Sequence, residues 1–517
     1  MSSTEQQGPV WRTDLPDEAA TQALAQEVAS IVGADDLVTL TGDLGAGKTT
    51  FARYLIRCLT GDPELETPSP TFTLMQVYEG GAFPIVHADL YRVKDPSEMA
   101  ELGWDEAAEG ALVLVEWAER AGSILTGDRL DIALFSDPQR GPDYRRAEII
   151  GHGAMSDRLL RTRGARDLLA RSGWSEAERE HMQGDASTRA YERLRKPTGE
   201  KAILMISPPR PDGPPVRNGK PYSAIAHIAE NIRPFVAVDL ALRAQGVSAP
   251  EIYAADLVGG FAIMEDLGQE GVIGPTGPIP ERYAQAAALL AELHTRDLPQ
   301  ELPLPPGTYI IPPYDIDALL IEVELLLDWY APHVAGVHPA SGSRARFQNL
   351  WRGMLAAPLA GRQTWTLRDY HSPNLLWLPQ RQGLQRIGVI DFQDCVMGPP
   401  AYDVVSLLQD ARLDVADDLE LKLLSHYARV RRQFEPGFDM ASFASAYAVM
   451  GAQRASKILG IFVRLDKRDG KPNYLAHLPH MKRYLRKNLG HPALAELRFW
   501  FETNLPQLFA GDNEVAP

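Results

Sequence analysis

Between Asp17 and Val32 the apolar residues Ala20, Leu24, Val28 and Ile31/Val32 recur on one helical face, and Gly33 follows as a stop. The pattern then changes. "DLVTLTG" reads as a short buried strand, followed by a glycine-rich segment and a second helical run. Strand character returns at "FPIVHADLY", "ALVLVEW", "LDIALF" and "RRAEIIG", with helical stretches between them. This alternation predicts a small α/β domain over residues 1–151. The charged stretch "MSDRLLRTRGARDLLARSGWSEAERE" reads as helix without strands, so residues 152–180 are expected to link to, or begin, a second domain. "HMQGDASTRAYERLRKPTGEKAILMISPP" reads as a hairpin and a third strand, opening a lobe over 181–268. From 269 to 517 the pattern is mostly helical, and the proline-rich "LPQELPLPPGTYIIPPYD" interrupts it as a loop or hinge.

The glycine-rich segment carries chemistry. Gly42-Asp43-Leu44-Gly45-Ala46-Gly47-Lys48-Thr49 fits G-x-x-x-x-G-K-[ST], and it lies between a predicted strand and a predicted helix, the context the pattern requires. The glycines let backbone N–H groups face phosphate oxygens, and the helix N-terminus adds positive potential. Lys48 is expected to reach the β/γ-phosphates, and the Thr49 hydroxyl to ligate Mg²⁺. The expected nucleotide contacts are Gly42, Asp43, Gly45, Ala46, Gly47, Lys48, Thr49 and Thr50. Asp89 follows a β-run, where a carboxylate can hold Mg²⁺. Glu116 ends an apolar strand and is placed to orient an attacking water. Ser69 and Thr71, beside prolines, form a loop suited to sensing the γ-phosphate.

Together "GDLGAGKTT", "TPSPTFTL", "HADLYR" and "LVEW", in that order, closely resemble the small ATPase subunit of the bacterial tRNA N6-threonylcarbamoyladenosine machinery, the TsaE family. The resemblance covers about residues 14–150. It implies a P-loop ATPase that does not modify RNA itself but hydrolyses ATP while docked on the other subunits of that complex.

A second phosphate-handling set lies more than 300 residues later. "TLRDYHSPNLLWL" places Asp369 and, five residues on, Asn374. Kinase catalytic loops use this spacing, with the Asp accepting the substrate hydroxyl proton and the Asn holding a metal ion. "IGVIDFQD" then ends a predicted strand with Asp391, where a metal-binding Asp belongs. His371 either orients Asp369 or packs, and Asp403 is expected to hold the loop.

"GDASTRAYERL", "AIMEDLG", "LRDYHSPNLLWL", "IDFQD", "GPPAYDVVSLLQDAR" and "QRASKILGIFVRL" together resemble the cell-wall amino-sugar anomeric kinases of the aminoglycoside-phosphotransferase superfamily, over about residues 157–510. The resemblance implies ATP-dependent phosphorylation of the C1 hydroxyl of N-acetylmuramate and N-acetylglucosamine in peptidoglycan recycling. The expected fold is therefore an α/β P-loop NTPase domain followed by a bilobal α+β protein-kinase-like domain. One departure stands out: the strand position that normally carries a phosphate-binding Lys is Met205, with Lys201 four residues away. Gly184, Ser187, Thr188 and Arg189 are then candidates to contact the phosphates. Glu265 and Leu267, in "MEDLG", sit where the adenine-contacting hinge belongs, and backbone groups do that work.

Two further readings stay open: a catalytically silent kinase-like module that regulates the ATPase, and a kinase for an aminoglycoside, choline or homoserine. An N-acetylmuramate acceptor carries a lactyl carboxylate and calls for a basic group. Arg454, Lys457 and Arg464 lie at helical spacings to supply one, or form a solvated basic face.

Bulk composition narrows the classes. A formal net charge of −16 argues against DNA or anionic membrane as partners, and no basic–aromatic surface suggests direct RNA binding. Two cysteines make no disulfide framework or zinc site and suit a reducing cytoplasm. The N-terminal stretch lacks the features of a secretory signal, and no apolar run is long enough to span a bilayer. The cofactors expected are ATP and Mg²⁺. The partners expected are an amino sugar and the subunits of the tRNA-modifying complex.

Overall fold

The computed structural model describes residues 10–93, 98, 104–121, 125, 127–182, 189–210 and 213–509. The chain divides into two compact units, Met1–Arg171 and Ser172–Pro517.

The first unit is built on a seven-stranded sheet of order β1-β7-β6-β2-β5-β4-β3. Its strands are β1 (Val10–Leu15), β2 (Leu37–Thr41), β3 (Met75–Tyr78), β4 (Ile85–Asp89), β5 (Leu112–Glu116), β6 (Arg129–Ser136) and β7 (Arg145–His152). β6, β2, β5 and β4 run parallel, and antiparallel neighbours flank them. Parallel strands need both faces covered. Along β4 and β5, Ile85, Leu112 and Leu114 join one core, and Val86, Ala88, Val113 and Val115 join the other. Helix α1 (Glu18–Ala29) starts where Asp17 accepts the Ala20 N–H at 2.8 Å. Helix α2 (Lys48–Thr60) buries Phe51, Ala52, Leu55 and Ile56 on the first core, each large side chain worth about 1.5–3 kcal/mol. Because β2, β4 and β5 are in parallel register, Leu40, Asp89 and Glu116 share one sheet edge. Ligands bind at such carboxyl ends.

The sequence pattern placed this domain's end at residue 151. The helix Ala154–Arg171 instead belongs to the first unit, burying Met155 and Leu159 in the β7-side core. Its surface is so charged that its thin apolar seam is hard to see in sequence. β1 and β3 were not anticipated either. β1 is a polar edge strand that, among the described residues, pairs with β7 alone, and β3 is a four-residue edge strand.

The second unit opens with a five-stranded antiparallel sheet. Its order is Ile252–Asp256, Phe261–Glu265, β10 (Lys201–Ile206), β9 (Ala190–Arg195) and β8 (Glu178–Met182). β8 begins at Glu178, within the stretch expected to be helical. The proline-rich segment contains a small ribbon, Glu301–Pro303 with Thr308–Ile310. Helices then dominate, including Arg233–Ala244, Pro280–Leu293, Ile316–Leu325, Ala401–Leu408 and Met440–Asp469. Two short ribbons, Thr364–Thr366 with Val396–Gly398 and Leu375–Trp377 with Ile387–Val389, frame the loop that holds Asp369. Among the described residues no helix is long and apolar enough to cross a membrane.

Asp239, on the helix Arg233–Ala244, is fully buried with neither carboxylate oxygen hydrogen-bonded. Burial pushes its pKa up to about 8. The folded state therefore binds a proton that the unfolded chain releases near pH 4, and stability falls as pH rises from about 4 to about 8. An Asp239→Leu variant is expected to be more stable by about 1–3 kcal/mol at pH 7. Denaturant melts across pH should show the gain widening from pH 4 to 8 and levelling above.

Candidate active sites

In the first unit the phosphate loop is shaped by residues that only glycine can be. Gly42 has φ +136° and a Cβ there would strike the Leu134 carbonyl, while Gly47 has φ +101° and opens α2. Lys48 Nζ donates to the carbonyls of Gly42 (2.7 Å) and Asp43 (3.0 Å) and lies 3.7 Å from the centroid of the Trp117 ring. Burial lowers its pKa, and the acids Glu116, Glu119, Asp89 and Asp43 oppose that shift. Asp43 is exposed, Ala46 is buried, and Gly45 (φ +80°) and Thr50 complete the loop.

The carboxylates at the sheet edge are already hydrogen-bonded. Glu116 is buried and accepts from the Thr49 hydroxyl at 2.9 Å, with His87 Nε2 3.0 Å from its other oxygen. Asp89 accepts the Ser69 and Thr71 hydroxyls, each at 2.7 Å, and the Tyr91 N–H at 2.9 Å. The structure thus joins Thr49 to Glu116 and ties the Ser-Pro-Thr loop to Asp89. Sequence reasoning did not single out His87 or Arg145. His87 lies two residues before Asp89 on β4, hence on the same strand face, which was the available signal. Arg145 donates to the loop carbonyls of Ala46 (3.2 Å) and Gly45 (3.3 Å); nothing local to "DYRRAE" marked it.

In the second unit, the loop between Thr366 and Leu375 is held by buried acids. Asp403 accepts the N–H groups of Leu367 (2.7 Å) and Arg368 (2.9 Å). Asp410 accepts the Ser372 N–H (2.9 Å) and hydroxyl (2.5 Å). Arg368 (φ +67°) and Asp391 (φ +61°) are left-handed non-glycine residues, and such strain concentrates at working sites. Asn374 Nδ2 donates to the Asp369 carbonyl at 3.0 Å and reaches Asp391 Oδ2 at 3.4 Å. Gln393 Nε2 (2.9 Å) and Arg189 Nη1 (3.1 Å) meet Asp391 Oδ1. The three residues predicted from spacing, Asp369, Asn374 and Asp391, therefore converge.

Their electrostatics differ. Burial alone would raise the Asp369 pKa, but His371, which becomes charged only in the acid range where Asp369 titrates, and the permanent charges of Lys457, Arg454 and Arg368 outweigh it and hold the group below its ordinary value. Its carboxyl remains 42% exposed. Asp391 is raised by burial and by the negative charge of Asp369, with Arg189 and Gln393 opposing. The donor set beside it, one carboxylate and one side-chain amide, is oxygen-rich and hard, which fits a magnesium ion. Burial pushes His371 down to about 4, so its ring is neutral at pH 7.

Met205 is buried in β10 opposite Tyr191 and Ala262, while Lys201 is exposed at the strand start. No ammonium group occupies the usual strand position. Gly184, Ser187 and Thr188 lie outside the described residues; Arg189, next to them, is the member of that group seen against Asp391. The Glu265 side chain pairs with Arg381 at 2.5 Å and accepts the Glu251 N–H. Leu267 packs near Gly388, where a Cβ would come within 3.3 Å of its Cδ1.

Comparisons with known proteins divide at the same place as the fold. Residues 15–146 match the family model described as Threonylcarbamoyl adenosine biosynthesis protein TsaE, and residues 179–436 match that of the Phosphotransferase enzyme family. The N-acetylmuramate/N-acetylglucosamine kinase of Caulobacter vibrioides is 37% identical over 353 residues, covering 66% of this chain and 95% of that protein. The protein of the same name from Pseudomonas putida is 32% identical, covering 64% and 90%. The tRNA threonylcarbamoyladenosine biosynthesis protein TsaE of Rickettsia conorii is 43% identical over 120 residues, covering 23% of this chain and 68% of that protein.

Asp403→Ala leaves two buried loop N–H groups without an acceptor, at about 1–3 kcal/mol each. A lower melting temperature is expected, with phosphoryl transfer by the second unit falling more than nucleotide binding. Calorimetry and ATP titration of the same variant check both.

Proposed function

The chain belongs to the TsaE family in its first unit and to the N-acetylmuramate/N-acetylglucosamine kinases of the phosphotransferase enzyme family in its second, and from that premise we propose that one polypeptide carries two separate activities. The first unit is an ATPase and the second a phosphotransferase. In our reading the second unit transfers the γ-phosphoryl group of ATP to the C1 hydroxyl of N-acetylmuramate or N-acetylglucosamine. The first unit supports formation of N6-threonylcarbamoyladenosine in tRNA, together with the other subunits of that complex. Both roles suit the cytoplasm.

The observation that carries the kinase reading is the Asn374 amide, which bridges the backbone of Asp369 and the carboxylate of Asp391. Asp369 faces the acceptor as an open carboxylate and receives the hydroxyl proton. The sugar O–P bond forms as the bond from the γ-phosphorus to the bridging oxygen breaks, and ADP leaves with the electron pair. A carboxylate held below its ordinary pKa is a weak base. It suffices here because the transition state is loose and the proton moves late, and because an anomeric hydroxyl is more acidic than an ordinary alcohol. Asn374 and Asp391 would hold Mg²⁺, which neutralises phosphate charge when bound. Arg189 adds a cation at the same corner, where Met205 supplies none.

In the first unit Lys48 and the loop N–H groups bind the phosphates, and Thr49 with Asp89 would hold Mg²⁺. Glu116, oriented by His87, is placed to direct the attacking water.

The test uses the full-length protein with ATP, Mg²⁺ and either sugar, alongside kanamycin and choline, with phosphorus NMR of the product. An anomeric sugar phosphate is expected. Asp369→Asn should lower its rate by roughly 10²–10⁴-fold, while Lys48→Ala should leave it and abolish the residual, acceptor-independent hydrolysis of ATP. A phosphorylated aminoglycoside or choline with unmodified sugars would refute the acceptor assignment.

A further inference from the structure

The helix Met440–Asp469 carries the three basic residues that sequence spacing offered for an acidic acceptor, and the structure tells them apart. Lys457 Nζ lies 2.8 Å from Glu322 Oε1 and 3.4 Å from the Tyr402 hydroxyl, so its charge neutralises a buried acid. The Arg464 guanidinium sits 5.0 Å from the centroid of the Tyr222 ring. Arg454 is different. It is only 4% exposed, its Nη1 is enclosed without an acceptor, and among the described residues its guanidinium makes no hydrogen bond or ion pair.

That arrangement is costly in a particular way. Asp239, buried and unpartnered, escapes by taking up a proton. A guanidinium has no such escape, because it stays charged at any pH the protein meets. A lone cation out of water is tolerated where an anion arrives to pair it. The charge of Arg454 acts on Asp369, His371 and Asp403. Arg454 is therefore a charge in the surroundings of Asp369 and of the loop that carries it. His371 is its polar neighbour there. Its Nε2 is 3.8 Å from Asp369 Oδ1, and its enclosed Nδ1 also has no partner. An unpaired cation and an unpaired neutral ring nitrogen thus flank the group that receives the acceptor proton.

Resting on the amino-sugar kinase reading, we infer that Arg454 forms a carboxylate subsite of the acceptor pocket, which takes the lactyl carboxylate of N-acetylmuramate. N-acetylglucosamine has no such group. The subsite therefore sets the preference between the two sugars. ATP brings oxyanions of its own, and the experiment separates the two sources.

The measurement is kcat/KM for each sugar, with KM for ATP, in the full-length protein and its Arg454→Met, Arg454→Gln and Arg464→Met variants. Arg454→Met is expected to lower the ratio of N-acetylmuramate to N-acetylglucosamine efficiency by roughly 10–100-fold, while Arg464→Met keeps the wild-type ratio. Because it removes an unpaired buried charge, Arg454→Met should also melt at or above the wild-type temperature, which a structural arginine would not allow. If Arg454→Met fails to fold, Arg454→Gln, which keeps donors but no charge, is read for the same change in ratio. An unchanged ratio overturns the inference. So does an equal loss for both sugars with a raised KM for ATP, which assigns Arg454 to phosphate. A wild-type protein that phosphorylates N-acetylglucosamine but not N-acetylmuramate overturns the subsite and leaves the kinase reading standing. Phosphorylation of neither sugar overturns both.

Discussion

Glu322 is buried completely, and the loop of the second unit that carries Asp369 is arranged around that one acid. A carboxylate taken out of water must collect donors and opposite charge or the fold is lost. Glu322 pairs with Arg368 and Lys457, and it accepts from the Tyr314 hydroxyl at 2.6 Å and from Gln453 at 2.9 Å. Arg368 immediately precedes Asp369. Drawing its guanidinium inward to Glu322, with Nη1 also on the Ala226 carbonyl at 2.9 Å, holds the backbone in the left-handed region and turns the next side chain outward. The exposed carboxylate at the site is thus the outer end of a buried ion cluster. Asp403 accepts the Leu367 and Arg368 N–H groups and Asp410 that of Ser372, while those of Asp369, His371 and Asn374 meet carbonyls within the loop, so the loop has few ways to relax.

The first unit uses a smaller version of the same device. Glu116 is the buried acid at the sheet edge, and His87 and Thr49 approach it from β4 and α2. Here glycines at positive φ shape the loop backbone, and Lys48 rests on loop carbonyls and the Trp117 ring. On the proposed reading both units handle phosphate, the second through a cation that its oxygen pair would hold. One offers a helix N-terminus and a lysine on a glycine loop. The other offers an oxygen pair, Asn374 and Asp391, with Arg189 beside it and an apolar Met205 where a lysine would stand.

Buried charge also separates residues that a sequence shows as equals. Lys457 and Arg454 are three positions apart on one helix, both basic, both inward. One is matched by an acid brought from the helix Ile316–Leu325, and the other is matched by nothing among the described residues. The difference lies wholly in what the neighbouring helices present, and it converts one of the two from a structural ion into a candidate for recognising an anion.

What the sequence by itself determined was local and repetitive. The change from helical to strand periodicity located β2, β4, β5, β6 and β7, the order G-x-x-x-x-G-K-T between strand and helix marked the phosphate loop, and the spacing of Asp369, Asn374 and Asp391 marked the second site. These features are legible because neighbouring residues share a backbone conformation, so the pattern is written within one element. Tertiary structure alone decided the rest. It took the helix Ala154–Arg171 into the first unit, paired polar β1 with β7, joined Thr49 and His87 to Glu116, and left Arg454 unpaired while Lys457 met Glu322. Most of those depend on side chains from different elements of the chain, 29 residues apart for His87 and Glu116 and 67 for Thr49 and Glu116, and only the packing of whole elements sets which charge meets which.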